Sequence, residues 1–176
     1  MKNLLVFPLL FFSLSLFAFR VLTLWKINTE NSSVNFTIKN AGINTEGSFT
    51  GLKGSIDFDP QNPAAGKISA SVEAASINTG INMRDNDLRS EHYLDVKNYP
   101  LIKFVSTQIT KTAQGYSVTG TFTIKKVSKT VTIPFTFENK VFKGTFTVNR
   151  LDYEVGKRNW VMGDDVKITF QIAVEN

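Results

Sequence analysis

The sequence predicts an all-β protein, a single antiparallel barrel of about eight strands with a short helix between the third and fourth. Apolar and polar residues alternate with period two over much of the chain, and the links between the alternating segments are short. The chain also contains 15 phenylalanines. Alternation is typical of strands with one buried face, short links make neighbouring strands antiparallel, and phenylalanine favours strands.

The predicted strands follow one another with one long interruption. The second is less regular than the others, with Gly47, Gly51 and Gly54 as expected bends. In the fourth, the apolar phase changes after Phe104, which predicts a bulge. The predicted strands lie, in order, around residues 33–39, 45–58, 67–74, 101–110, 116–125, 130–137, 142–148 and 165–175. Hairpin links are expected at Gln114-Gly115, Val127-Ser128 and Asn139-Lys140.

An apolar face that runs through eight strands has to be hidden from water. Closing the sheet into a barrel hides it and removes both sheet edges. A sandwich of two sheets is the alternative closure, and the alternation is compatible with both.

Residues 76–100 break the alternation and predict a short helix within 80–96. Asn82 is the expected N-cap, with Asp85 at the third helical position. Asp85 and Arg89 are four residues apart, in the favourable order for an ion pair. Pro100 ends the segment. The segment is long enough to lie over one end of the barrel.

The N-terminus predicts export. Lys2 precedes an apolar run over residues 4–19, too short and too close to the start for a convincing membrane span. We therefore expect a signal peptide at residues 1–19, a periplasmic location, and one domain at residues 20–176. An uncleaved anchor is the alternative.

Composition limits the chemistry that the chain could perform. There are no cysteines, and His92 is the only histidine, so thiol catalysis is excluded and any histidine-dependent triad or metal site would need His92. The adjacent Asp164 and Asp165 on a strand would point to opposite faces, and Asp85 and Asp87 do not face each other on a helix. The sequence therefore predicts a protein that is not an enzyme and has neither a cofactor nor a metal.

The net charge of +5 is spread over the chain, which is typical of a solvated surface and not of a nucleic-acid-binding protein. A small basic cluster, Lys125, Lys126 and Lys129, is expected at a hairpin turn. Its functional interpretation is transient contact with anionic lipid headgroups. The oligomeric state is left open by the sequence.

The inward apolar face is the candidate binding site. An eight-strand barrel is at the size where side chains either fill the interior or leave room for one ligand, and both alternatives stay open. Small residues such as Ala70, Ala74, Gly120 and Gly144 interrupt the large ones and favour a cavity. The predicted ligand-binding residues are Phe36, Ile38, Phe49, Phe58, Phe104, Phe122, Phe135, Phe137, Phe146 and Phe170, with Arg84 near the mouth. Ala70→Phe or Gly144→Phe would be tolerated by a hollow barrel and would overpack a filled one.

Several short motifs resemble the YceI family, bacterial periplasmic barrels associated with binding polyisoprenoid lipids. The most specific is the stretch from Arg84 to Ser90, which continues to Asp95, Tyr99-Pro100 and Phe104. Supporting motifs lie on both sides of it. They include Val34-Asn35-Phe36, Gly47-Ser48-Phe49, the segment 56–60, Gly115-Tyr116, the segments 120–124 and 149–153, Val155-Gly156 and the segment 163–166. The sequence departs from the family pattern at Asp87, His92 and Lys126, where His, an acid and Gly are common.

The resemblance implies a lipocalin-like barrel, an apolar tunnel and an isoprenoid-type ligand. The leading hypothesis is binding, transport or sequestration of an amphiphilic isoprenoid such as a polyprenyl chain or quinone, with Arg84 meeting an anionic or carbonyl head. The second is a structural or partner-binding barrel with a filled core. The third is an enzyme acting on a lipid, which the missing catalytic motifs disfavour.

Overall fold

The computed structural model describes residues 24–175, and the predicted signal peptide lies outside them. One antiparallel sheet contains nearly all of the regular structure. Its strands are β1 Leu24–Asn40, β2 Ile43–Phe49, β3 Lys53–Asp57, β4 Lys67–Glu73, β5 Leu101–Thr112, β6 Gly115–Ile124, β7 Val127–Glu138, β8 Val141–Asn149 and β9 Met162–Glu175. A single α-helix in these residues, α1, spans Asn82–Arg89, and short 3-10 turns lie at Pro63–Ala65, Ala74–Ser76 and Arg150–Tyr153.

The sheet closes on itself because β1 pairs with β9 over most of its length. β2 and β3 both pair with β1, β2 against residues 34–40 and β3 against Leu24 and Trp25. They therefore occupy one position around the barrel, interrupted at residues 50–52. The result is the predicted eight-stranded antiparallel barrel, and the interruption lies within the stretch where glycine bends were expected. None of the helices in residues 24–175 is long and apolar enough to cross a membrane.

Two irregularities in strand register show how the backbone keeps apolar side chains inside. In β5, the register with β6 shifts between Ser106 and Gln108, which confirms the predicted bulge and keeps both Phe104 and Ile109 buried. In β1, the register with β9 shifts between Asn28 and Ser33. That second shift breaks the alternation, which explains why the sequence pattern marked the strand only from residue 33 onward.

Two of the three predicted hairpin turns were wrong. The turns after β5 and β6 are Ala113-Gln114 and Lys125-Lys126, because the last paired residues are Thr112 with Gly115 and Ile124 with Val127. Lys125 adopts the left-handed φ of 53° that a two-residue turn of this kind needs. The third predicted turn, Asn139-Lys140, is correct, and both of its residues have positive φ.

Helix α1 lies within the predicted range, but its first turn differs from the prediction. Asn82 is already helical, the N-cap is Ile81, and the Ile81 carbonyl accepts from the Asp85 amide at 3.0 Å. Asp85 is thus one position later than expected. Arg89 donates to the carbonyls of Ala75 and Ile77, each at 2.7 Å, which ties the helix to the preceding chain. The predicted Asp85–Arg89 pair is replaced by these bonds.

The two ends of the barrel differ. At one, the mouth end, lie the β1–β2 turn, the Lys125-Lys126 turn, the connection of residues 74–100 (the lid segment) and the connection of residues 150–161 (the mouth loop). At the other, the closed end, lie the β3–β4 connection and the turns after β5 and β7. Because all strands are antiparallel, the connections alternate between the two ends.

Candidate functional site

An aromatic cluster fills the closed end. Phe58 is fully buried, and its ring lies 5.0 to 5.7 Å from those of Tyr116, Phe135, Phe137 and Phe142. All four of these pairs are edge-to-face, an arrangement that aromatic quadrupoles prefer. Trp25 Nε1 donates to the carbonyl of Phe58 at 2.8 Å and covers the outside of the cluster. This end of the barrel is a packed core.

Above the cluster, the barrel encloses an apolar cavity of about 240 Å³. Side chains from every strand and from the lid segment line it. Of the residues predicted to bind a ligand, those at the cavity wall are Phe36, Ile38, Phe49, Phe104, Phe122, Phe135, Phe146, Phe170 and Arg84. Phe58 and Phe137 do not line it, because they belong to the packed cluster at the closed end. The interior is thus part filled and part hollow.

Glycines on the strands keep the cavity open by making space for aromatic rings along its wall. A Cβ on Gly144 would lie 2.4 Å from the Phe170 ring, and one on Gly47 would lie 2.3 Å from the Phe36 ring. Both are directly paired neighbours across two strands. Gly120 receives the Phe104 ring in the same way, at 2.6 Å. Each of these rings packs against the glycine, where a side chain would leave it no room.

This packing corrects one expectation. Gly144→Phe cannot report on a hollow interior, because even a methyl group there would collide with Phe170 and with the Pro134 carbonyl, 2.7 Å away. Ala70, which lines the cavity on β4, remains a suitable site for a bulky substitution.

The lid segment places one cation at the cavity. Arg84, in the first turn of α1, lines the cavity and is half-buried. It donates from Nε to Thr79 Oγ1 at 2.7 Å and from Nη2 to the Thr79 carbonyl at 2.8 Å. Asp85 is 3% exposed and accepts from the amide and the hydroxyl of Thr79. Thr79 thus connects the two charged side chains and fixes the orientation of Arg84, whose Nη1 these bonds do not use.

A second buried cation, Arg150, was not predicted. It is 3% exposed and lines the cavity at the end of β8. Its three nitrogens donate to the carbonyls of Gly163, Val155 and Lys157 at 2.8 to 3.1 Å and to Asp164 Oδ1 at 3.1 Å. Arg150 therefore holds the mouth loop in place. The sequence signal that could have identified Arg150 is its position in the alternation, since it continues the inward-facing series of Phe142, Phe146 and Val148 on β8.

Other polar residues that the sequence singled out lie outside the cavity. His92 is exposed in the turn after α1, not on the helix, and its carbonyl accepts from the Gly156 amide at 3.0 Å. That bond joins the lid segment to the mouth loop. The three lysines of the basic cluster contact the chain after β8: Lys126 with Glu154 at 2.9 Å, Lys129 with Asp152 at 3.5 Å, and Lys125 with the Glu154 carbonyl at 3.1 Å. Their charges are thus partly compensated within the protein.

Within residues 24–175, Tyr153 is a buried group whose pKa is shifted. Burial, aided by the neighbouring Asp152 carboxylate, raises the pKa of the Tyr153 hydroxyl. The Tyr153 ring packs edge-on against that of Phe122, with the ring centroids 5.8 Å apart. Over the same residues, no group of His, Asp or Glu side chains could hold a metal ion. The fold and the cavity define a closed antiparallel barrel with an apolar interior cavity.

Comparison with known proteins identifies the family. The YceI-like domain matches residues 25–174, so the chain belongs to the YceI-like family. The UPF0312 protein YE1254 of Yersinia enterocolitica is 38% identical over 112 residues, which cover 62% of this chain and 58% of the relative. A UPF0312 protein of Yersinia pestis matches to the same extent. The match thus spans less than two thirds of the length of these curated relatives.

Solved structures share the barrel. BcnA of Burkholderia cenocepacia has a TM-score of 0.80 at 30% identity, covering 86% of this chain and all of that one. The YceI protein of Campylobacter jejuni has a TM-score of 0.66 at 25% identity, covering 76% and 86%. A polyisoprenoid binding domain from Saccharophagus degradans, at 14% identity and a TM-score of 0.64, covers 88% and 99% and shares the fold.

Proposed function

We propose that this protein binds an amphiphilic isoprenoid lipid, such as a polyprenyl chain or a quinone, and transports or sequesters it without chemical conversion. The observation that carries the proposal is an apolar cavity sealed at one end by aromatic rings, with Arg84 on the lid segment at the other. An elongated tail with one polar head fits this asymmetry. The S. degradans relative, described as a polyisoprenoid binding domain, supports the ligand class.

Burial of the tail supplies the binding free energy. Removing about 400 Å² of apolar surface from water is worth on the order of 10 kcal/mol at 25 cal/mol per Å². Lost motion of the tail and of the lining side chains offsets much of that gain. The polar groups at the mouth then select the head group of the ligand. A charged hydrogen-bond donor that is half-buried binds a matching acceptor more strongly than one in water does.

Native mass spectrometry of freshly purified protein tests the proposal. The parent protein should carry a lipid mass that organic extraction removes, whereas Ala70→Phe should remain folded and lose that mass, because its ring occupies the cavity. Ser69→Phe is the matched control, since Ser69 is the exposed neighbour of Ala70 on β4 and should keep the lipid. If the parent carries no lipid and Ala70→Phe unfolds, the barrel functions as a structural or partner-binding module instead.

We also propose that the protein is exported to the periplasm. The basic start and the apolar run of residues 4–19 support this. Fractionation should place the protein in the periplasm, with an intact mass that lacks residues 1–19. A membrane fraction that retains those residues would indicate an anchor instead, and full-length protein in the cytoplasm would contradict export.

A further inference from the structure

Large apolar side chains that face solvent are concentrated around the mouth. Within residues 24–175, seven are at least half exposed, and five of the seven lie at the mouth end. We call these five the rim: Ile43, Ile81, Met83, Trp160 and Val161. Trp160 is fully exposed and Met83 is 84% exposed. Exposed apolar groups that cluster around one feature mark an interaction site, whereas single ones scattered over a surface do not.

Backbone contacts hold the rim segments around the same opening. The Ala41 amide in the β1–β2 turn donates to the Val161 carbonyl at 2.6 Å, so Ile43 and the mouth loop are adjacent. Asn78, just before the rim residues of the lid segment, pairs with Ser48 on β2. The rim therefore consists of side chains from the start of β2, the lid segment and the mouth loop, which surround the entrance to the apolar cavity.

Exposed cations lie next to the mouth-loop residues of the rim. Lys157 and Arg158 precede Trp160 in the mouth loop, and Lys39 lies against Gly163 on the other side of it. The Arg158 side chain is 79% exposed, although it lies 3.4 Å from Asp164. That carboxylate already accepts a hydrogen bond from the buried Arg150. The mouth loop thus combines an exposed tryptophan with basic side chains.

This combination matches the surface of an anionic bilayer. Tryptophan prefers the boundary between headgroups and acyl chains, and basic side chains next to it are attracted to anionic headgroups. A protein partner would require a continuous surface, and here the apolar groups are divided among three separate segments around an opening. The exposed acids of the lid segment, Asp87 and Glu91, favour a tilt with the mouth loop nearest the bilayer.

We propose that the rim docks the protein on a bilayer that contains anionic phospholipid, with Trp160 and Val161 inserted and the cavity entrance facing the lipid. The site is distinct from the Lys125-Lys126 hairpin, whose lysines are engaged with the chain after β8. Docking lets the proposed ligand pass from the bilayer into the cavity without exposing its apolar tail to water. Its purpose rests on the proposed function, but its occurrence does not.

Fluorescence of Trp160 tests docking directly. The chain has two tryptophans, and Trp25 is packed against Phe137 at the closed end. In a Trp25→Phe background the emission comes from Trp160 alone. Adding vesicles of phosphatidylethanolamine and phosphatidylglycerol to delipidated protein should shift that emission to shorter wavelength. Vesicles of phosphatidylcholine alone should give a weaker response, and added salt should reduce binding to the anionic vesicles.

A matched pair of substitutions tests whether the rim itself is responsible. Val161 is 56% exposed on the rim, and Val105 is 50% exposed on β5, outside it. Measured by vesicle co-sedimentation, Val161→Ser should weaken binding and Val105→Ser should not. Met83→Ser combined with Trp160→Ser should weaken it about tenfold or more, from the apolar area lost. Equal binding by all variants, or no binding by the parent, overturns the proposal and makes the rim a candidate protein contact.

The two proposals fail separately. Ala70→Phe blocks the cavity but leaves the rim intact, so it should sediment with vesicles as the parent does. If the parent docks but never carries lipid, docking stands and the proposed ligand fails. If the parent carries lipid but the rim variants dock like the parent, the ligand proposal stands and the rim proposal fails.

Discussion

At the scale of single residues, the inward aromatics have two different roles. Phe135 contacts Tyr116 and Phe142 as well as Phe58, and it forms the boundary between the packed cluster and the cavity. Phe146 contacts Phe122 at 5.5 Å and is only partly buried. An inward phase on a strand does not by itself distinguish these roles.

This difference predicts unequal costs of truncation. Phe135→Ala should lower the free energy of unfolding by about 3–5 kcal/mol, because it leaves a void among packed rings. Phe146→Ala should cost about 1–2 kcal/mol in delipidated protein, because one side of the ring already faces the cavity. Denaturant unfolding of both variants measures the difference. Equal, large costs would mean that the cavity closes around Phe146 in solution.

At the scale of elements, the lid segment has two arginines with separate tasks. Arg89 binds the carbonyls of Ala75 and Ile77 and thereby attaches α1 to the chain that leaves β4. Arg84 lines the cavity and donates its hydrogen bonds to Thr79, not to the carbonyls that Arg89 binds. The helix is short and largely exposed, so its position depends on such bonds more than on apolar packing.

Exchanging each arginine for alanine should separate the two tasks. Arg84→Ala should weaken retention of a ligand with an anionic or carbonyl head and change the melting temperature little. Arg89→Ala should lower the melting temperature or increase hydrogen exchange in residues 74–90, because it removes the donor that binds the exposed Ala75 carbonyl and the partly buried Ile77 carbonyl. Lipid dissociation rates and thermal unfolding measure both effects. A large loss of stability in Arg84→Ala with unchanged lipid retention would show that Arg84 is structural.

At the scale of the whole molecule, closure and asymmetry belong together. Pairing of β1 with β9 removes the sheet edges. The β3–β4 connection and the turns after β5 and β7 lie at the closed end, whereas both long connections, the lid segment and the mouth loop, lie at the mouth end. Aromatic packing can then seal one end while Arg84 and Arg150 meet the cavity at the other. Charged side chains are tolerated there because Thr79 accepts two hydrogen bonds from Arg84 and the mouth-loop carbonyls accept from Arg150.

Local sequence pattern predicts much of this architecture. Period-two alternation identified the strands and the inward residues, and the change of phase after Phe104 identified a bulge, because each depends on neighbours along one strand. The breakdown of alternation after residue 76 identified the helical segment in the same way. Turn positions were predicted less accurately than strands, because a two-residue turn depends on which residues pair across it, as at Ile124 and Val127.

Only the tertiary structure decided what the interior does. Whether eight strands enclose a solid core or a cavity depends on where rings from different strands meet, such as Phe58 among four partners at one end and Phe170 over Gly144 further along the wall. The role of Arg150 likewise follows only from the tertiary structure, because its hydrogen-bond partners lie on the chain that folds back over it. The sequence by itself determined the strands, the barrel and the apolar character of its interior, since these follow from side-chain period. The cavity, its sealed end and its rimmed mouth arise from contacts between residues distant in the chain.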